Sequence, residues 1–446
     1  MSTKITLEHG NRILESIQDL EKYFKDGVKP SEERRIGIEF EALGVLRDSL
    51  KAIRYTDHIL PIFTHLIRSH GYGPICEEGW LIGLEKEGRL VALEPGGQLE
   101  LSGSPLKTLL ECRNEHEAFL QEVSGHPLAK GVGFLGAGLH PVSPSYAIET
   151  VPKPRYGIMA PYLSKKGSRA LDMMKRTATI QVNLDYTSIQ DLLRKVRLCF
   201  RLTPVYQAMF ANSPIGLGRP NGYQTERAAI WQDTDPDRCG LVPSLMGQGV
   251  TLRDYLDYVL DIPIILLEEE GRLLPVPPIP FRRFLEEGLG GRRPTLSDFV
   301  LHLSLVFPEV RVKTFFEVRG ADSLPKALVL APAALLVGLL YDEQATQEAE
   351  GLLDGFPQEA FVSLYRTVPR LGLDGRIKEA DLPELAKALV DASKRGLERR
   401  GYGEEVFLEG LMELMAEGKN PAMVLRERFF GCGKNLKEAL GLFFLI

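Results

Sequence analysis

Short stretches of this sequence place oxygen-bearing side chains two residues apart among apolar neighbours. In the first stretch, Glu94, Gln98 and Glu100 flank a Pro-Gly-Gly turn. Because residues two apart on a strand point to the same face, Gln98 and Glu100 can project together, and the turn can fold Glu94 back over them. Such oxygens suit a hard cation such as Mg²⁺. A solvent-exposed hairpin shows the same alternation, so this stretch alone leaves both interpretations open.

Two further stretches repeat the pattern. Glu39 and Glu41 alternate with apolar residues near the N-terminus, and Glu317 and Arg319 do so late in the chain. One such strand is weak support for a site, but three that each direct acids to one side support one another. Because one of them adds an arginine, together they predict a metal-containing cleft that handles phosphate.

A fourth stretch follows Arg176 and alternates strictly between polar and apolar residues. If it is a strand, one face consists only of hydrogen-bonding side chains, which suits a ligand surface. A strand facing solvent would look the same. The polar face comprises Thr177, Thr179, Gln181, Asn183 and Asp185.

Two segments are predicted to be loops with site-like residues. The first is punctuated by prolines from residue 152 onward and carries Arg155 and Tyr156. The second is rich in aspartate and carries Arg227 and Trp231. A tryptophan near an arginine often serves packing, but the density of acids and arginines favours a site.

Length and composition indicate a globular protein. The chain has 446 residues, of which 44% are hydrophobic and 26% charged. Neither a repeat nor a linker is evident, so we expect a single domain over 1–446. Its core is predicted to span about 35–345, followed by a helical C-terminal portion over about 346–446. The net charge of −6 and the lack of a basic tract argue against nucleic acid as a partner.

Targeting and redox signals are weak. The N-terminus lacks an apolar run of signal-peptide length, and the most apolar late run, 327–341, is shorter than the ~20 residues that span a bilayer. We therefore expect no membrane partner. The five cysteines are scattered without metal-ligand spacing, which argues against a zinc site and predicts reduced thiols in the cytoplasm. The segment 6–24 has helical apolar spacing.

Several blocks of the sequence resemble the glutamate–cysteine ligases of the plant and proteobacterial type. These enzymes belong to the carboxylate–amine ligases related to glutamine synthetase. The resemblance extends over roughly residues 35 to 345, and its blocks agree in order and spacing. They are residues 93–104, 173–185, 210–214, 230–238, 257–263, 307–311 and 317–322.

The resemblance implies a fold and a reaction. The fold is α+β, with a curved, mainly antiparallel sheet covered by helices, as in the catalytic domain of glutamine synthetase. In the reaction, ATP phosphorylates the γ-carboxylate of L-glutamate, and the amine of L-cysteine displaces phosphate to give γ-glutamylcysteine, the first step of glutathione biosynthesis. Mg²⁺ or Mn²⁺ is the implied cofactor, and ATP is a co-substrate. The partners are then small molecules, and the enzyme is a monomer or a homodimer.

The resemblance also assigns residues to roles. Arg319 and Glu317 are the implied catalytic residues, with Arg319 at the transferred phosphate. The implied metal ligands are Glu39, Glu41, Glu94, Glu100, Gln181 and Glu317. The implied substrate-binding residues are Arg227, at the glutamate α-carboxylate, and Arg155, Tyr156 and Trp231. The residues implied for the nucleotide are Arg176, Thr177, Thr179 and Asn183.

One departure from the family and two alternatives remain. Cys112 resembles one partner of the regulatory cysteine pair of plant members, but the region 327–334 has no cysteine. A thiol switch of that kind is therefore not expected. A carboxylate–amine ligase with another acceptor amine fits the same residues, and so does a phosphotransferase acting on a guanidino group.

Overall fold

The chain, described here by a computed structural model over residues 12–446, is built around a nine-stranded sheet. Every strand pairing in this sheet is antiparallel. The strand order is β14-β15-β7-β1-β5-β4-β3-β2, and β6 pairs with the far half of β1. The strands are β1 (Ile36–Leu46), β2 (Gly73–Glu77), β3 (Trp80–Lys86), β4 (Arg89–Leu93), β5 (Leu99–Ser102), β6 (Val132–Leu135), β7 (Thr179–Leu184), β14 (Val310–Val312) and β15 (Phe316–Asp322).

Short strands outside this sheet form two-stranded pairs. They are β8 (Ile215–Gly216) with β9 (Arg219–Pro220), β10 (Cys239–Gly240) with β13 (Phe307–Pro308), β11 (Leu266–Glu269) with β12 (Arg272–Pro275), and β16 (Arg376–Ile377) with β17 (Ala380–Asp381).

Helices cover the sheet and make up most of the C-terminal portion. They are α1 (Ile17–Lys25), α2 (Leu60–His70), α3 (Leu109–Ser124), α4 (Pro154–Leu163), α5 (Ala170–Arg176), α6 (Ile189–Met209), α7 (Glu226–Gln232), α8 (Leu252–Asp261), α9 (Phe281–Glu287), α10 (Leu296–Leu303), α11 (Ala331–Leu340), α12 (Glu343–Asp354), α13 (Gln358–Leu371), α14 (Leu382–Arg400), α15 (Glu409–Ala416), α16 (Pro421–Gly431) and α17 (Leu436–Ala439).

Strand β1 is central to the sheet because one of its faces packs in the apolar core and the other carries acids. Its apolar residues, such as Ile38 and Phe40, belong to the main hydrophobic core, whereas Glu39 and Glu41 alternate with them. The first half of β1 pairs with β5 and β7, and the second half pairs with β6. The predicted antiparallel sheet with alternating acids is therefore confirmed.

Helix α6 supports the sheet next to β15. Its N-cap is Ser188, whose hydroxyl accepts a hydrogen bond from the backbone N–H of Asp191, and nearly all of its later residues are buried. The predicted helix over 6–24 is observed only as α1, and its residues 6–11 lie outside the described residues.

Most C-terminal helices share a core with the sheet, whereas Leu425 and Phe429 of α16 belong to a second, smaller cluster with Leu43 and Val45 of β1. A single cluster of buried apolar residues runs from Leu14 to Leu445 and includes side chains from β1 and from α14. The last residues return to the sheet, where the backbone N–H of Leu445 donates to the carbonyl of Phe134 in β6. This continuity supports the prediction of one domain.

The two segments predicted to be loops are helices in the structure. Residues 154–163 form α4 because Pro154 occupies its first turn, where a missing N–H costs nothing. Residues 226–232 form α7, which is capped by the hydroxyl of Thr225. Both loop predictions are therefore wrong, and the site residues on these segments have rigid supports.

Within residues 12–446, no single helix has the length and apolar character of a membrane span. One sharply bent pair, Lys326–Leu340 with Glu343–Asp354, reaches that length and composition only when its two parts are combined.

Candidate active site

The registers of four neighbouring strands bring the predicted acids into one polar row. Glu41 of β1 lies opposite Glu100 of β5, and Glu39 lies opposite Gln181 of β7. On the other side of β7, Asn183 lies opposite Glu317 of β15. The side chains predicted from separate stretches therefore meet on one face of the sheet, and all of those just named are buried.

At the β15 end of this row, Glu317 is surrounded by cations. Its carboxylate accepts hydrogen bonds from Arg311 Nη2 at 2.7 and 2.9 Å and from Lys313 Nζ at 3.1 Å, and it also pairs with Arg319 Nη1. We call Glu317, Arg311, Lys313 and Arg319 the cation cluster. Although burial alone would raise the pKa of Glu317, Arg311, Lys313 and Arg319 hold that pKa well below its usual range.

The cation cluster argues against the predicted role of Glu317 as a metal ligand. Both of its oxygens are already bonded to positively charged donors. A divalent cation at Glu317 would therefore face three positive charges at close range. In this structure Glu317 is the anion that pairs with Arg319, and its predicted role as a metal ligand stays a prediction.

At the other end of the row, Glu41, Glu94 and Glu100 form what we call the acid group. No described Lys or Arg side chain forms an ion pair with any of the three. Burial and the charges of Glu94 and Glu100 raise the pKa of Glu41 well above its usual range. Burial and the charges of Glu39 and Glu94 raise the pKa of Glu100 to about 7.

The acid group has the donor chemistry that a divalent cation requires. The carboxyls of Glu41 and Glu100 are buried, and the charge of Glu94 raises the pKa of each. The three lie together without a bonded cation, so a divalent ion would relieve the repulsion among them. Among residues 12–446, no three His, Cys, Asp or Glu side chains converge closely enough to enclose a metal ion. The acid group is thus a set of available oxygen donors rather than a closed metal site.

Gln181 connects the acid group to the cation cluster. Its amide Nε2 donates to Glu41 Oε1 at 3.3 Å, and its Oε1 accepts from Arg319 Nη1. Glu41 also accepts from the backbone N–H of Thr179 at 3.0 Å. Asn183 Nδ2 donates to Glu39 Oε1 at 3.1 Å. Gln181 is consequently part of the hydrogen-bond network, and its predicted role as a metal ligand stays a prediction.

Arg319 lies where β15 loses its register with β7, between Val318 and Ala321. The backbone N–H of Arg319 donates to the carbonyl of Glu309 at 3.1 Å, and its guanidinium lies 5.7 Å from the ring centre of Trp231. This break in register, which we call the bulge, redirects Arg319 toward Gln181.

Arg227 on α7 hydrogen-bonds to the backbone of the bulge. Its Nη2 donates to the carbonyl of Arg319 at 2.9 Å, and its Nε is buried without a hydrogen-bond partner. The Nε1 of Trp231 is likewise buried without a partner. The predicted binding of a glutamate α-carboxylate by Arg227 stays a prediction, because part of its guanidinium already holds backbone.

Helix α4 brings Tyr156 next to the acid group and Arg155 to the segment after α10. The hydroxyl of Tyr156 donates to the carbonyl of Leu93 at 2.7 Å, next to Glu94. Burial and the charge of Glu94 raise the pKa of Tyr156 well above its usual range. Arg155 Nη2 donates to Ser304 Oγ at 3.1 Å, which holds α4 against the segment after α10.

The four residues predicted to bind the nucleotide differ in availability. The hydroxyls of Thr177 and Thr179 donate to backbone carbonyls at 2.7 and 2.6 Å, so these two side chains are occupied by the fold. In contrast, Arg176 keeps Nε and Nη2 unpartnered, and Asn183 keeps Oδ1 unpartnered. The structure thus leaves Arg176 and Asn183 as the better candidates of the four.

Comparison with known proteins identifies the family. The sequence profile described as Glutamate-cysteine ligase family 2 (GCS2) matches residues 35–442. The chain belongs to this family. It is 40% identical over 408 residues to glutamate–cysteine ligase B, chloroplastic, of Oryza sativa subsp. japonica, with 91% of this chain and 82% of the relative covered. It is 37% identical over 417 residues to the chloroplastic glutamate–cysteine ligase of Arabidopsis thaliana, with 93% and 80% covered.

A solved structure supports the same fold for this member of the ligase family. The crystal structure of glutamate–cysteine ligase from Francisella tularensis in complex with AMP aligns with a TM-score of 0.57 and 12% identity. The alignment covers 92% of this chain and 87% of that chain. This likeness confirms the predicted α+β fold, and the family profile and the plant relatives confirm the predicted family.

The comparisons correct one expectation. The sequence predicted a cytoplasmic enzyme, but the rice and Arabidopsis relatives of this ligase are named chloroplastic, and so are those from Brassica juncea and tobacco. The five scattered cysteines led to the cytoplasmic interpretation, and the relatives contradict it.

Two members of the cation cluster, Arg311 and Lys313, were not predicted from the sequence. They alternate with Val310 and Val312, so the signal was a further two-residue period, here of cations. The register places Arg311 directly opposite Glu317, and that contact becomes visible only when β14 and β15 are paired.

Proposed function

We propose that this chain joins the γ-carboxylate of L-glutamate to the amino group of L-cysteine with consumption of ATP. A carboxylate oxygen of glutamate attacks the γ-phosphorus, and ADP leaves. The cysteine amine then attacks the acyl carbon, phosphate leaves and the amine loses a proton. Family membership supports this reaction, and the single structural observation that carries it is the polar row of acids and cations across β5, β1, β7 and β15.

The cation cluster suits the phosphoryl group. Arg311, Lys313 and Arg319 bring three positive charges to Glu317, so the cluster carries a net positive charge in a buried position. A transferring phosphoryl group spreads negative charge over its oxygens, and preorganised cations stabilise it. Arg319 is the member that extends toward Gln181, so we assign it to the transferred phosphate.

The acid group would hold Mg²⁺ or Mn²⁺. Glu41, Glu94 and Glu100 supply the carboxylates, with Glu39 next to them on β1. When bound, the ion neutralises phosphate charge and polarises phosphate oxygens. Burial and neighbouring carboxylates raise the pKa values of Glu41 and Glu100, so a carboxyl that carries a proton must lose it before it can act as a ligand.

Product analysis tests this proposal. The purified chain is incubated with ATP, Mg²⁺ and glutamate, with cysteine or with other amines, while phosphate release and product masses are recorded. We expect γ-glutamylcysteine, and phosphate in equal amount, only when cysteine is present. A dominant product with another amine would change the acceptor, and phosphate transfer without condensation would overturn the ligase assignment.

A further inference from the structure

The C-terminal helix α13 contacts both supports of the catalytic arginine through one residue. The hydroxyl of Tyr365 donates to Glu309 Oε1 at 2.7 Å, and the carbonyl of Tyr365 accepts from Gln232 Nε2 at 2.7 Å. Glu309 precedes β14, whereas Gln232 ends α7, the helix that carries Arg227. The bond to Glu309 is buried and therefore shielded from water, whereas the bond from Gln232 is partly buried.

Glu309 in turn holds the bulge. Its carbonyl accepts the backbone N–H of Arg319 at 3.1 Å, which continues the β14–β15 pairing up to the bulge. Its Oε1 is shared between Tyr365 and Gln207 Nε2, the latter at 3.0 Å from α6. Its Oε2 lies 3.3 Å from where a Cβ would stand on Gly320. The carboxylate is therefore fixed against the bulge from two sides.

From these contacts we infer that Tyr365 is a positioning residue: its hydroxyl fixes Glu309, and Glu309 fixes the bulge that directs Arg319 at the transferred phosphate. This inference rests on the proposed function, and it assigns a role to the C-terminal helical portion. A charge-assisted bond to a buried carboxylate is strong enough to matter, and misplacing a catalytic group by a fraction of an ångström lowers the rate.

The test uses Tyr365→Phe in the full chain, because this change removes one oxygen and keeps the ring. We expect kcat to fall by about tenfold, with the KM values for glutamate and cysteine nearly unchanged, because Arg319 acts mainly in the transition state. In an Arg319→Ala background, Tyr365→Phe should have almost no further effect on kcat. A purely structural role would lower both backgrounds equally.

Tyr72→Phe is the matched control. Tyr72 is also a buried tyrosine, and its hydroxyl donates to a glutamate, Glu122, at 2.6 Å. It lies beside β2, the edge strand at the opposite end of the sheet from β14. It should lower thermal stability about as much as Tyr365→Phe while leaving kcat unchanged.

The outcomes separate this inference from the proposed function. If the wild-type chain forms no γ-glutamylcysteine, both the proposed function and the inferred role of Tyr365 are wrong. Active wild type with normal kcat in a folded Tyr365→Phe variant overturns only the role of Tyr365, as does an equal loss in the Arg319→Ala background. If Tyr365→Phe does not fold, Glu309→Gln carries the same test with the same expected loss of kcat.

Discussion

The acid group and the cation cluster lie on one face of one sheet, yet identical glutamate side chains behave oppositely in them. In the cation cluster, Glu317 bonds to three positive charges and its pKa is held well below its usual range. In the acid group, Glu100 has carboxylate neighbours and its pKa is raised to about 7. A glutamate on this sheet is therefore a counter-ion or an available ligand according to the cations of the adjacent strand.

The largest effect that follows from this comparison concerns Glu317. Glu317→Gln leaves Arg311, Lys313 and Arg319 buried without their anion, so we expect the free energy of unfolding to fall by about 3–5 kcal/mol. Chemical denaturation measures it. Glu343→Gln, which breaks an exposed pair with Arg194, should cost less than ~1 kcal/mol. Similar losses in the two variants would contradict the cluster's importance.

The second effect concerns catalysis by Arg319. Arg319→Ala should lower kcat by on the order of a hundredfold, because it removes one preorganised donor at the transferred phosphate. The KM for ATP should change much less. Near-normal kcat in a folded variant would remove Arg319 from the mechanism.

A smaller effect is expected where the two regions meet. Gln181→Leu removes both the bond to Glu41 and the bond to Arg319. We expect kcat to fall by about tenfold, the result of losing hydrogen bonds worth ~1–2 kcal/mol. Steady-state kinetics measures it, and an effect confined to the KM for one substrate would show that Gln181 contacts that substrate instead.

The smallest effect is a pH dependence of stability. The folded pKa of Glu100, about 7, exceeds its unfolded value, so the folded state binds more protons between about pH 4.5 and pH 7. The stability of the metal-free protein should therefore fall as the pH rises through this window, by about a few degrees in Tm. Glu100→Gln should flatten the decline. A melting temperature that rises over the same window in wild type would contradict the raised pKa.

The sequence predicted the polar row because the two-residue period of strands is visible in it. Four acids and one arginine were expected on one side of a sheet, and the strand registers bring them together. They are Glu39, Glu41, Glu100, Glu317 and Arg319. The sequence did not predict their electrostatic state, since that depends on which strand lies next to which. Arg311 lies opposite Glu317 only because β14 and β15 form a hairpin.

One local prediction failed because the position of a proline within a helix outweighed composition, and another was left open. The prolines near residue 154 indicated a loop, but Pro154 stands in the first turn of α4. Thr177 was predicted to bind the nucleotide, and its hydroxyl bonds to the carbonyl of Met173 in α5, so that role stays a prediction. Which polar groups the fold itself uses cannot be read from alternation alone.

Titration with Mn²⁺, followed by electron paramagnetic resonance, tests most directly the division between the acid group and the cation cluster. Wild type, Glu100→Gln and Glu94→Gln are compared, with Glu343→Gln as the control. We expect Mn²⁺ to bind wild type and the control equally and to bind the two acid-group variants at least about tenfold more weakly, because each loses a charged ligand. Undiminished Mn²⁺ affinity in both acid-group variants would contradict the account.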